Sequence, residues 1–266
     1  MEACDESSRP KGTLLRTGPL RWTGLPEEPR LTTYLPPGYD TSGERYPLAI
    51  FFDGQNLFDD EGSHRGGWQL HRLLDWRACR GRRVPIAVGI ETAGWSRSAI
   101  LSPWSRDGVE GLGDRMLDWL TSWLVPTLRR DLRVEPGPGD VVLGGSSLGG
   151  LLAIYGHGRH PRTFGSVVAM SPSIGLPGGQ LGPIHEHMAR AELTAPPGGK
   201  VYLDAGAREC ECAGIMHNTG MLAGLLERRG YTAHRDLVFS VDPEGTHDEA
   251  SWKRRLPGAL DFVLGG

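Results

Sequence analysis

The chain has 266 residues, 23% of them charged, and a formal net charge of −3 spread along its length. This balance, without a basic stripe or polybasic run, excludes a nucleic-acid track and a membrane-surface patch, and no stretch approaches the ~20 apolar residues of a membrane span. The length suits one globular domain over residues 31–266, preceded by an N-terminal extension or added strand over residues 1–30, with no particular assembly implied.

The first thirteen residues carry Glu2, Asp5 and Glu6 and no apolar run. Neither a secretory leader nor a transit peptide is expected, and the expected location is cytoplasmic. From residue 31 onward, short β-rich runs alternate with amphipathic stretches, the pattern of a mainly parallel sheet flanked by helices. Strands are expected over residues 31–35, 46–52, 85–90, 141–143, 166–170, 201–203 and 237–241. A first helix is marked by Trp68, Leu70, Leu73, Leu74 and Trp76. A second is marked by Met116, Leu117, Leu120, Leu124 and Leu128, with a kink or restart at Pro126. Residues 175–182 read as a loop, and residues 216–229 and 250–264 as the last helices, the final one bent at Pro257. Cys4, Cys79 and the Cys210/Cys212 pair lack disulfide or zinc spacing and read as reduced thiols.

The chemistry centres on Gly145-Ser146-Ser147-Leu148-Gly149, a G-x-S-x-G string between a strand and a helix. In that setting Ser147 sits on a sharp turn with its hydroxyl projecting into a cleft, and the Leu148 amide at the helix start can face a developing oxyanion. A serine needs a base, and His247 lies in the right order, after the last strand and before the final helix. His157, His160, His185, His187, His217 and His234 fit that order or place less well. The acid belongs in the loop after residues 201–203. Glu209 lies beyond the turn, from where it can reach a histidine loop; Asp204 at the strand end is the alternative acid, and Glu211 a weaker one. The loop after residues 46–52 supplies the second oxyanion donor, assigned to the backbone of Gln55 with Gly54 as runner-up, and Asp53 is expected to bond within that loop. His185-Glu186-His187 and Cys210-Glu211-Cys212 have no metal-motif spacing, so neither metal nor cofactor is expected.

Phe52-Asp53-Gly54-Gln55-Asn56-Leu57-Phe58-Asp59, the Gly145–Gly150 string, Met170-Ser171-Pro172-Ser173, Leu203-Asp204-Ala205-Gly206-Ala207-Arg208-Glu209 and Gly245-Thr246-His247-Asp248 occur in that order. Together they resemble the esterase family that includes enterochelin esterases and feruloyl esterases, and His247 followed by Trp252 is similar to the enterochelin esterase pattern. The resemblance runs from about residue 31 to 264. It implies a single-domain α/β-hydrolase fold with Ser147 and His247 catalytic and Glu209 at the acid position, with a Ser-His pair as the alternative.

The expected substrate is a small-molecule ester. Trp68, Trp95, Trp104 and Trp252 could stack on an aryl group, and Arg65, Arg97 and Arg106 could meet a negative charge. An aryl-bearing or siderophore-type, enterochelin-like ester suits this lining, as does a feruloyl or simple acyl ester. Two alternatives share the scaffold: an acyltransferase or cyclase using the same acyl-enzyme, and a non-catalytic binding module.

Overall fold

Apolar runs of five or six residues that are buried along their whole length can only be inner strands of a sheet covered on both faces. The structure, a computed structural model, describes residues 9–20, 26–63, 65–92, 94, 96–105, 108–174, 183–190, 197–209 and 214–265. Among these, the strands are β1 (Thr13–Arg16), β2 (Leu31–Leu35), β3 (Leu48–Phe52), β4 (Ile86–Ile90), β5 (Val141–Ser146), β6 (Ser166–Met170), β7 (Val201–Gly206) and β8 (Leu237–Asp242). They form one sheet in the order β1-β2-β4-β3-β5-β6-β7-β8. The β1–β2 and β2–β4 pairs are antiparallel and the rest are parallel. This is a single α/β domain of the α/β-hydrolase type. The seven expected strands are β2 to β8; β5, β7 and β8 run further than their apolar stretches, to the residues that open the following turns.

The helices are α1 (Leu70–Cys79), α2 (Arg97–Ile100), α3 (Gly113–Trp119), α4 (Val125–Asp131), α5 (Leu148–Arg159), α6 (Pro183–Arg190), α7 (Ile215–Arg228) and α8 (Glu249–Leu264). Strand periodicity divides the core into two layers. Leu48, Ile50 and Phe52 of β3 pack with α3 to α7, whereas Ala49 and Phe51 pack with α1 and α8. The kink expected at Pro126 takes the form of a wide π-type turn at Leu120–Leu124 between α3 and α4. Val125 N–H reaches back to Leu120 O across that turn, which absorbs the hydrogen bond that proline cannot donate. Residues 183–190, for which no helix was foreseen, form α6; the loop expected over residues 175–182 lies outside the described residues.

The thiol reading needs correction: Cys79, the last residue of α1, is disulfide-bonded. Spacing along the chain could not show this, because a disulfide joins residues that meet only in the fold. Among the described residues no helix is long and apolar enough to cross a membrane.

Candidate active site

Ser147 stands between the end of β5 and the start of α5, at φ 56° and ψ −122°, a conformation that costs a non-glycine residue of order 1–3 kcal/mol. The strand-to-helix reversal is tight enough that a Cβ on Gly145 would lie 2.7 Å from the carbonyl carbon of Gly149, so position 145 admits only glycine. The Ser147 amide donates to Met170 O (2.9 Å) and its carbonyl accepts from Ser173 N (3.0 Å), pinning the turn to the end of β6.

His247 comes from the β8–α8 loop. Asp248 is the N-cap of α8 and accepts from Ser251 N (2.9 Å) and from the Thr246 hydroxyl (2.6 Å), so the histidine is held between two residues committed to the cap. Its ring packs edge-on against Trp252 at 5.0 Å. Glu209 comes from the β7 loop, which is bonded to the histidine loop through Arg208 N to Gly245 O and Ala207 N to Asp242 O, both 2.9 Å. The structure brings the three into one series: Ser147 Oγ is 2.9 Å from His247 Nε2, and His247 Nδ1 is 3.1 Å from Glu209 Oε2.

Burial would raise the Glu209 carboxyl, but hydrogen bonds from His247, Ser171 and the Gly206 amide together bring it below its ordinary value. Glu209 is therefore an anion and acceptor at neutral pH, so Nδ1 carries the proton and Nε2 is free to accept one from Ser147. This series can deprotonate a hydroxyl and stabilise the resulting imidazolium. Asp204 does not reach the histidine. It is fully buried, accepts from Ser171 N at 2.9 Å and lies 3.2 Å from Arg255 Nε. Burial pushes it up to about 7, against the pull of Arg255 and the Ser171 amide.

Ser171, Ser173 and Arg255 have no role in the sequence reading. Ser171, at φ 41°, uses all of its hydroxyl capacity: it donates to Glu209 Oε1 (2.5 Å) and accepts from Trp252 Nε1 (3.0 Å) and Arg255 Nη2 (2.7 Å). Ser173 Oγ lies 3.0 Å from Ser147 Oγ. The Met170-Ser171-Pro172-Ser173 phrase was the available signal for the serines; Arg255 gave none, being one arginine among many.

A cavity of about 690 Å³ opens over Ser147 and His247, walled by Asp53, Gln55, Arg65, Arg97, Glu249 and Trp252. Asp53, at φ 57°, accepts from Gln55 Nε2 within its own loop and also from Thr92 Oγ1. Arg97 grips it with two bonds of 2.6 Å each, so the guanidinium expected to meet a substrate anion is already paired. Glu249, another residue the sequence reading passed over, is buried and accepts from Asn56 Nδ2 at 3.3 Å. Two expected wall residues are corrected. Trp68 is a core residue, 3% exposed, packed between Phe51 and Trp252. Trp104 sits edge-on against Tyr155 at 5.2 Å and does not line the cavity. Their apolar surface goes into packing, Trp68 against β3 and Trp104 against α5. Trp95 and Arg106 lie outside the described residues, as do Glu211 and the Cys210/Cys212 pair. In α6, His185 Nε2 meets Asn218 O at 3.0 Å and His187 packs on Tyr155, so the two face different neighbours.

The chain is 23% identical over 253 residues to the uncharacterized protein YbbA of Bacillus subtilis (strain 168), covering 89% of this chain and 92% of that protein. It is 26% identical over 233 residues to the iron(III) salmochelin esterase of Escherichia coli O6:H1, covering 82% of this chain but 50% of that protein, so it spans about half of that relative. Among solved structures, an enterochelin esterase from Shigella flexneri superposes with a TM-score of 0.73 at 20% identity, covering 96% of this chain and 58% of the other. A ferulic acid esterase from Anaeromyces mucronatus gives 0.72 at 16% identity, covering 98% and 92%. At such identities these likenesses show the shared fold. The family model described as Putative esterase matches residues 23–263, nearly the whole chain, and the chain therefore belongs to that family of ester-hydrolysing enzymes.

Proposed function

We propose that the chain hydrolyses a carboxylic ester through an acyl-enzyme on Ser147, with His247 as general base and then general acid, and Glu209 holding the imidazole tautomer. The observation that carries this reading is the hydrogen-bonded series Ser147–His247–Glu209 at the base of an open cavity. The Ser147 hydroxyl attacks the carbonyl carbon as its proton passes to Nε2. The tetrahedral oxyanion is met by the backbone N–H groups of Leu148, in the first turn of α5, and of Gln55, in the short 3₁₀ turn after β3; such first-turn amides have no acceptor within their own helix. His247 then protonates the leaving alcohol, and water releases the acid by the same route.

The cavity is large enough for an aryl-bearing acyl group, with Trp252 as its aromatic surface and Arg65 as a cation for a substrate anion. A siderophore-type ester is supported by the likeness to a salmochelin esterase and an enterochelin esterase; a feruloyl ester is supported by the ferulic acid esterase. A cytoplasmic location belongs to the same proposal and has to be set against the Cys79 disulfide, since such bonds persist in oxidising compartments and are rare in the cytosol.

The test is intact-mass analysis after fluorophosphonate treatment, alongside p-nitrophenyl ester turnover. One adduct is expected on the wild type and none on Ser147→Ala, with kcat falling by about 10⁴-fold or more in Ser147→Ala and in His247→Ala. A folded wild type that neither labels nor turns over would remove the catalytic reading in favour of a binding module.

A further inference from the structure

The Ser147 oxygen has two neighbours, and the acyl-enzyme cycle described above, on which this inference rests, accounts for only one of them. Ser173 Oγ is 3.0 Å from it and His247 Nε2 is 2.9 Å from it. The direction of the serine–serine hydrogen bond follows from the tautomer. Glu209 fixes the proton on Nδ1, so Ser147 must donate to Nε2, and the bond between the two hydroxyls can only run from Ser173 to Ser147. Ser173 is itself held in place, because its own amide donates to the Ser147 carbonyl at 3.0 Å and Pro172 precedes it in the turn.

A donor aimed at the nucleophile does not help the attack itself, since it occupies a lone pair. Acylation changes its situation. Ser147 Oγ becomes an ester oxygen, a much poorer acceptor, and the Ser173 hydroxyl is released beside the new carbonyl carbon. We propose that Ser173 is a catalytic residue of deacylation, accepting a hydrogen bond from the hydrolytic water. Nε2 and Ser173 Oγ both lie within 3.0 Å of Ser147 Oγ, so both border the space beside the acyl carbon through which the water must come. That water gives one proton to Nε2 and points its second hydrogen at Ser173 Oγ, which aims a lone pair at the carbonyl carbon. The water oxygen bonds to carbon, the Ser147 Oγ–carbon bond breaks, and the proton held by His247 returns to Ser147.

The geometry makes a distinction between nucleophiles. Water has two hydrogens and can use both partners; methanol has one, which goes to Nε2, and gains nothing from Ser173 as an acceptor. The experiment compares wild type, Ser173→Ala and Ser173→Thr with p-nitrophenyl acetate, with and without methanol. It reads the burst rate, the lifetime of the acetyl adduct by intact mass, and the ratio of acetate to methyl acetate formed. In Ser173→Ala, acylation is expected to stay within about threefold of wild type. The adduct should last about tenfold longer, the factor that one ordinary hydrogen bond carries in a rate, and the acetate-to-methyl acetate ratio should fall several-fold. Ser173→Thr, which keeps the hydroxyl, restores the ratio. A merely structural role would slow both nucleophiles together and leave the ratio unchanged; that result, or an unaltered adduct lifetime, overturns the proposal. A wild type that forms no adduct at all is a different failure, that of the esterase reading itself.

Discussion

At the scale of single residues, two neighbouring carboxylates face different partners. Glu209 faces the imidazole, while Asp204, only five residues earlier, faces Arg255 and a backbone amide. Glu209→Gln is expected to lower kcat by about 10³- to 10⁴-fold, because an amide can donate to Nδ1 and favour the wrong tautomer. Asp204→Asn keeps the histidine contact and is expected to leave kcat within about threefold of wild type, because that carboxyl meets Ser171 N and Arg255 and not the imidazole. Steady-state kinetics on the pair check this, and the reverse pattern would exchange the two roles. Ser147, His247 and the two candidate acids were legible because strand-end position and chain order are properties of sequence. Position beyond the turn favoured Glu209 but did not fix the choice, because it depends on where the turn from Gly206 to Glu209 aims each side chain. Ser171 and Arg255 were hidden for the same reason, being more than eighty residues apart and meeting only in the fold.

At the scale of elements, the acid loop and the histidine loop behave as one unit. A Cβ on Gly206 would lie 2.3 Å from Gly245 O and 2.8 Å from Glu209 Oε1, contacts that no real side chain makes. Gly206→Ala must therefore push the two loops apart, and a displacement of an ångström at the imidazole costs about 10²-fold in rate. We expect a loss of that size in kcat/KM while the fold survives, measured by kinetics beside a thermal melt; retained activity would show that the loops move freely past one another. The strands were readable because burial on both faces writes continuous apolar runs. Helix α6 was not, since Ile184 and Met188 are its buried apolar positions and polar residues surround them. Likewise, the sequence showed that the helix must break near Pro126 but not that the break would be a π-type turn ahead of it.

For the molecule as a whole, pH resistance depends on a histidine far from the chemistry. His157 on α5 is fully buried between Phe164 O (2.7 Å) and the Tyr231 hydroxyl (2.6 Å), and burial lowers it to about 4. A folded value below the ~6.5 of an unfolded imidazole means that its contribution is fully present above about pH 6.5 and is lost as pH falls through 4. Asp204, raised to about 7, works in the opposite sense: its contribution is present below about pH 4 and is lost as pH rises through 7. The stability gap between wild type and His157→Gln should therefore narrow by about 2 kcal/mol between pH 7 and pH 4.5 in denaturant titrations; a constant gap would mean that the imidazole is already charged in the folded protein. A last consequence belongs to the cavity wall. Because the buried Asp53 carboxylate holds Arg97 at two nitrogens, that pair offers an acyl group shape and the three remaining N–H groups of Arg97 but little net charge. On the proposed reading, that pair neither rewards an anion nor repels a neutral guest, so selection by charge falls to Arg65 and selection by outline to the rest of the wall.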